Sequence, residues 1–191
     1  MPLDIEATLA AHNEAVSCIS GLAPRIHEAA QRILRVLGHG GQIYVCGNGG
    51  SAADSQHFAA ELAGRFERER RGFPAIALTT DTSALTSIGN DYGYEQIFRR
   101  QLEALARPGE LLVAISTSGN SANMVRTVEY AREHNIQTVG LLGRDGGELA
   151  SLVDLPLTVP VKSTARIQEV HILILHMLCE AVESGYEADD S

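Results

Sequence analysis

The chain has 191 residues, 45% hydrophobic and 20% charged, enough for one globular domain with a sizeable core. Its 24 acidic and 15 basic side chains leave a net charge of -9 with no basic block, which argues against a nucleic-acid surface and leaves any anionic ligand to local dipoles and hydroxyls. Cys18, Cys46 and Cys179 lack metal-ligand spacing, no apolar run approaches the ~20 residues of a membrane span, and "MPLDIEATLA" lacks a signal-peptide pattern, so a reduced, cytoplasmic protein is expected.

Apolar positions at helical spacing predict helix from about Ile5 to Leu37, stopped by "GHGG". "QIYVCG" predicts a buried strand, and Ser51 is expected to N-cap a helix running through Phe66. "FPAIALTT" predicts a second strand, and "EQIFRRQLEALA" an amphipathic helix ended by Pro108-Gly109. "ELLVAIS" is the third strand, then the polar turn "TSGNS" and the helix "ANMVRTVEYAREH". "QTVGLLG" and "LPLTV" supply strands four and five, before a closing helix from about Thr164 to Ser184. Strands alternating with helices predict a parallel sheet between helical layers, with ligands at the carboxyl ends of the strands. The expected organisation is one domain over 1–191: a helical segment (1–38), an α/β core (39–186) and a frayed tail (187–191).

Two turns fall at that carboxyl edge. In "CGNGGS", Asn48, Gly49 and Gly50 let backbone approach a ligand, and Ser51 opens a helix whose free N–H groups attract anions. An ordinary strand-to-helix turn would use the same glycines, and the P-loop and Rossmann spacings are absent. In "STSGNS", Ser116, Thr117, Ser118 and Ser121 gather four hydroxyls at one helix start, more than a cap needs, and favour a phosphate cradle.

His57 and Glu61, at i and i+4, share one helix face and suit zinc or proton transfer, although a solvated polar pair has the same spacing. The last helix carries Gln168, His171 and His176 among apolar residues. Polar groups there need partners. Gln168 to His176 spans ~12 Å on a straight helix, and spacing does not choose between the two histidines. Asn90 and Asp91, in "IGNDYG", sit in an expected turn where Asx residues are usually structural, and Asp91 could meet sugar hydroxyls.

Together "CGNGGSAADSQHFAAELAGRF", "PAIALTTDTS", "GNDYG", "AISTSGNSAN", "DGGELA" and "RIQEVHILILH" resemble the sugar isomerase (SIS) domain family, and within it the phosphoheptose isomerases, over nearly the whole chain. The resemblance implies a three-layer α/β sandwich with a central five-stranded parallel sheet and an N-terminal helix used in oligomerisation. It implies conversion of D-sedoheptulose 7-phosphate to D-glycero-D-manno-heptose 7-phosphate, toward the nucleotide-activated heptose of bacterial lipopolysaccharide. It also implies cytoplasmic homotetramers with active sites between subunits, and one zinc per subunit. By motif, Glu61 is the base and His176 the acid, and His57, Glu61, Gln168 and His176 are the zinc ligands. Asn48, Gly49, Gly50, Ser51, Glu61, Asn90, Asp91, Ser116, Thr117, Ser118, Ser121 and Gln168 meet the substrate, and His171 is left structural. Some relatives carry an Asp where this chain has Ala165, so no role of that Asp transfers.

Two other classes compete. A related non-enzymatic tetramer binds the replication initiator DnaA and shares "PAIALTTD" and "DGGELA", but lacks the Glu and His at the positions of Glu61 and His176. A sugar-phosphate sensor would keep the serine cradle without needing Glu61.

Overall fold

A computed structural model describes residues 3–189. The elements in chain order are α1 (Ile5–Ser17), α2 (Ile19–Gly38), β1 (Ile43–Gly47), α3 (Gly50–Ala63), β2 (Ala75–Ala77), α4 (Thr82–Tyr92), a 3-10 turn (Tyr94–Gln96), α5 (Arg99–Leu105), β3 (Leu111–Ser116), α6 (Ala122–Glu133), β4 (Gln137–Gly143), α7 (Leu149–Leu152), β5 (Leu155–Val159) and α8 (Thr164–Asp189). The strands form one parallel sheet in the order β2-β1-β3-β4-β5.

Both sheet faces are covered, so the strands read as continuous apolar runs. Leu111, Val113 and Ile115 of β3 enter a core shared with α1, α2, α3 and α8. Leu112 and Ala114, one residue out of phase, enter a second core with α5, α6 and α7. The result is the expected three-layer sandwich. Its register places the end of β1 beside the end of β3, since Gly47 pairs with Ile115, and Ser116 pairs with Leu142 of β4. The glycine and serine turns are therefore neighbours on one edge. Among the described residues no helix is long and apolar enough to cross a membrane.

Several local expectations need correction. The single N-terminal helix is two, broken at Cys18, where the backbone tightens to i→i−3 bonds: Cys18 N–H reaches Ala15 O and Gly21 N–H reaches Cys18 O, while Pro24 lies inside α2. Ser51 is not the N-cap of α3. Gly49, at φ 59°, takes that place, and Ser51 is buried inside the helix with its carbonyl receiving Ser55 Oγ. α3 stops at Ala63, short of Phe66. Asn90 and Asp91 lie in the last turn of α4, a helix absent from the sequence reading because it has no buried residue and only half-covers Leu85 and Ile88. α8 continues to Asp189 where a frayed tail was expected from 187, and Asp190 and Ser191 lie outside the described residues.

Candidate active site

The carboxyl edge is built from backbone and short side chains. Gly119 turns at φ 67°, and a Cβ there would run into the Gly146 carbonyl, so only glycine lets the serine turn pass under the turn after β4. Ser116 Oγ accepts from Gly119 N–H at 3.1 Å and Ser118 Oγ from Asn120 N–H at 3.2 Å, which leaves both hydroxyl protons to donate outward. Ser121 precedes α6 without spending its hydroxyl on a cap, and Thr117 is half-buried. Four hydroxyls at one helix start make a neutral cradle for a phosphate.

Asn48 joins the two turns. Its Nδ2 donates to Asn123 Oδ1 at 2.9 Å, and Asn123 Nδ2 donates back to Asn48 Oδ1 at 2.8 Å. Tyr94 Oη donates to the same Asn48 oxygen at 3.1 Å. The Asn48 side chain is thus committed to a cross-tie, leaving the backbone of Asn48, Gly49 and Gly50 to face a ligand. A cavity of about 410 Å³ lies between this turn and α4, lined by Gly49, Leu85, Tyr94 and Phe98 among others. At the end of α4, exposed Asn90 donates to Asp91 at 2.7 Å.

The second half of the site is the seam between α3 and α8, which run side by side in the same direction. Gln168 lies against Gly50 at one level, where any Cβ on Gly50 would strike its amide. Two turns further along, His57 Nε2 meets Glu61 Oε1 at 3.0 Å and His176 Nε2 at 3.3 Å. Phe66 tilts over the His176 ring at 5.5 Å and 32°. If His57 Nε2–H donates to Glu61, His176 Nε2 must present its lone pair. One proton on His57 Nε2 then faces two acceptors, Glu61 Oε1 and His176 Nε2.

A metal cation could take the place of that proton. Two imidazole nitrogens and a carboxylate oxygen are zinc donors, and the edge of a tetrahedron with bonds near 2.05 Å is about 3.3 Å, close to both measured separations. Among the described residues no group of three His, Cys, Asp or Glu is already disposed to hold a metal ion, so the three would have to turn from one another toward it. Gln168, the fourth expected ligand, is not gathered with them; it stays at Gly50. The donor set fits zinc in kind, with Gln168 apart.

His171 is a core residue. It is buried, and its Nε2–H donates to Leu142 O at 3.0 Å while Nδ1 has no partner. Burial pushes its imidazole down to about 4, against the opposing pull of the Leu142 carbonyl. Sequence reasoning passed over four residues here. Asn123 was hidden inside an ordinary amphipathic helix. Arg70, which bonds the last carbonyls of α3, was hidden in the charged run after that helix, and its partner Glu183 within the last helix. Asp54, one turn before His57, has its carboxyl raised by burial and lowered by His57, and its Oδ2 is unpartnered.

Comparison with known proteins agrees with this architecture. Residues 10–143 match the family model described as the SIS domain. A phosphoheptose isomerase from Geotalea daltonii is 54% identical over 181 residues, 94% of each chain. The solved structure of phosphoheptose isomerase GmhA from Neisseria gonorrhoeae superposes with a TM-score of 0.85 at 46% identity, covering 95% of this chain and 100% of that one. A phosphoheptose isomerase structure from Francisella tularensis gives 0.91 at 38% identity, covering 94% and 96%. The chain belongs to the SIS-domain family, and within it to the phosphoheptose isomerases.

Proposed function

We propose that the chain is an aldose-ketose isomerase that converts D-sedoheptulose 7-phosphate to D-glycero-D-manno-heptose 7-phosphate, upstream of the activated heptose of lipopolysaccharide. The observation that carries the residue roles is the meeting of Glu61, His57 and His176 on one seam of a fold that also offers a hydroxyl-rich cradle. The cradle of Ser116, Thr117, Ser118 and Ser121 holds the phosphate through hydroxyls and N–H groups. Its neutrality suits a chain of net charge -9, which supplies no bulk positive field.

In the reaction, Glu61 takes a proton from C1 of the open-chain ketose, and the released pair forms the C1–C2 double bond of the enediol. His176, turned from His57 and carrying a proton when substrate is bound, protonates O2 and then recovers the O1 proton as C1 becomes the aldehyde. Glu61 returns its proton to C2. Each group ends as it began. Zinc, one per subunit, would be held by His57, Glu61, Gln168 and His176 and would supply Lewis-acid stabilisation of charge on the sugar oxygens. Glu61 cannot be an ideal ligand and a free base at once, so these duties belong to different moments.

Gln168 stands ~12 Å along α8 from His176. A set using all four ligands needs Gln168 to leave Gly50, or a second copy of the chain to supply it. The second option fits the reading of the chain as a cytoplasmic homotetramer with its sites at subunit contacts, which the family resemblance implies. The DnaA-binding alternative gives no task to Glu61 or His176. The test is turnover of sedoheptulose 7-phosphate, coupled to a heptose kinase, by wild type and His176→Gln. Turnover that collapses in the variant is expected, and wild-type activity in His176→Gln would remove it as the acid.

A further inference from the structure

The run "FERERRGF", Phe66 to Phe73, reads as solvated surface because it is densely charged. Arg70 contradicts that reading. Its side chain is 7% exposed and that of its partner, Glu183 on α8, 3%. Removing two such charges from water costs several kcal/mol each unless hydrogen bonds satisfy them. Here they do. Glu183 accepts the N–H groups of Phe66, Glu67 and Arg68 at 2.9 to 3.1 Å, and Arg70 Nε–H at 2.9 Å. Arg70 Nη1 donates to the carbonyls of Leu62, Gly64 and Arg71, and Nη2 to Glu61 O at 2.7 Å. Burial alone would raise the Glu183 carboxyl, but the three N–H groups and Arg70 together hold it below the usual carboxylate range.

These partners lead straight to the reacting groups. Glu61 O belongs to the candidate base itself, so the guanidinium fixes the backbone from which that carboxylate projects. Phe66, held through its N–H, rests its ring on His176. Glu183 lies seven residues after His176, on the same face of α8. One buried pair therefore sets how far α3 can slide along α8, and that register puts His57 Nε2 3.3 Å from His176 Nε2. We propose that Arg70 and Glu183 are positioning residues for the isomerisation, holding Glu61 and His176 in reacting geometry from outside the site. The identity of those groups as base and acid rests on the isomerase reading above.

The experiment compares Arg70→Lys and Glu183→Gln with wild type and with Leu102→Ala, a cavity control in the opposite core. All are assayed where each is folded by its own melting curve. Arg70→Lys keeps the charge but cannot reach four carbonyls and a carboxylate. The expected result is a kcat lowered about 10- to 100-fold with KM within about threefold, since misplacement near 1 Å costs on that order. Leu102→Ala should keep wild-type kcat despite its lower Tm. A second readout needs no turnover: the imidazole nitrogen NMR signals of His57 and His176 should move in Arg70→Lys and stay in Leu102→Ala. Loss of activity only in proportion to the unfolded fraction, with unchanged histidine signals, would overturn the proposal. Moved signals alongside an inactive wild type would keep the positioning role and discard the isomerase reading.

Discussion

The two ends of α3 are held by different chemistry. At its start, backbone does most of the work: Gly49 turns at φ 59°, Gly50 leaves room for the Gln168 amide, and the Asn48–Asn123 pair ties this turn to the serine turn. At its end, long side chains converge from three elements: Glu61, His57, His176 and, behind them, the buried Arg70–Glu183 pair. The first region offers a ligand N–H groups and hydroxyls fixed by chain geometry. On the proposed mechanism the second carries out proton transfer, which needs ionisable groups whose placement depends on tertiary packing. Damage at the start of α3 should therefore appear as weakened binding, and damage at its end as lost turnover.

The most severe break at the binding end is Gly119→Ala. A Cβ meets the Gly146 carbonyl, which is backbone and cannot step aside, and the residue is at positive φ. A destabilisation of about 3 kcal/mol or more is expected in urea unfolding, with loss of substrate binding. Wild-type stability would mean that the serine turn is looser than described.

The packing behind both regions has a pH signature through His171. Its imidazole is lowered to about 4 from an ordinary 6.5, so as pH falls the unfolded chain takes up the proton first. Stability should fall progressively from pH 6.5 to pH 4 and this contribution should level off below, by roughly 3 kcal/mol in all. Urea unfolding at pH 7 and pH 4.5 should show a smaller pH-dependent loss in His171→Leu than in wild type. Equal losses would remove His171 as the cause.

Gly50→Ala separates binding from stability more finely. The added methyl strikes only the movable end of Gln168, so melting should shift by a few degrees at most while kcat/KM drops about 10- to 30-fold, near 2 kcal/mol. Asn123→Ala is the mildest. It removes the cross-tie and leaves Asn48 held by Tyr94 alone, so KM should rise about five- to tenfold, or 1–1.5 kcal/mol, with kcat near wild type. A fall in kcat with KM unchanged would place Asn123 with the reacting end instead.

The contrast between the two ends also explains what could be read from sequence. β4 and β5 were legible to the residue and the other strands lay within their predicted runs, because a doubly buried strand writes itself as an uninterrupted apolar run. α4 was illegible because a half-covered helix of small polar residues lacks a face. The α1–α2 break at Cys18 was masked by apolar periodicity on both sides. The glycine and serine turns at the binding end were legible from their residues, but Ser51 lies buried inside α3 and Asn90 and Asp91 in α4, not in turns. Arg70, Glu183 and Asn123 were not, since their roles arise only when residues 113 and 75 positions apart meet. His171 and His176 look alike in sequence. Spacing does not separate them; the family motif does, and packing then shows the buried core bond of His171 to Leu142 beside the half-open contact of His176 with His57.

The central claim is that Glu61 moves the C1–C2 proton. The most direct measurement is turnover of sedoheptulose 7-phosphate by wild type and Glu61→Gln, with and without added zinc, alongside melting curves for both. The account predicts turnover by wild type and a loss of about a thousandfold or more in Glu61→Gln at unchanged melting temperature. Turnover retained in the variant, or absent from wild type under both conditions, would contradict it.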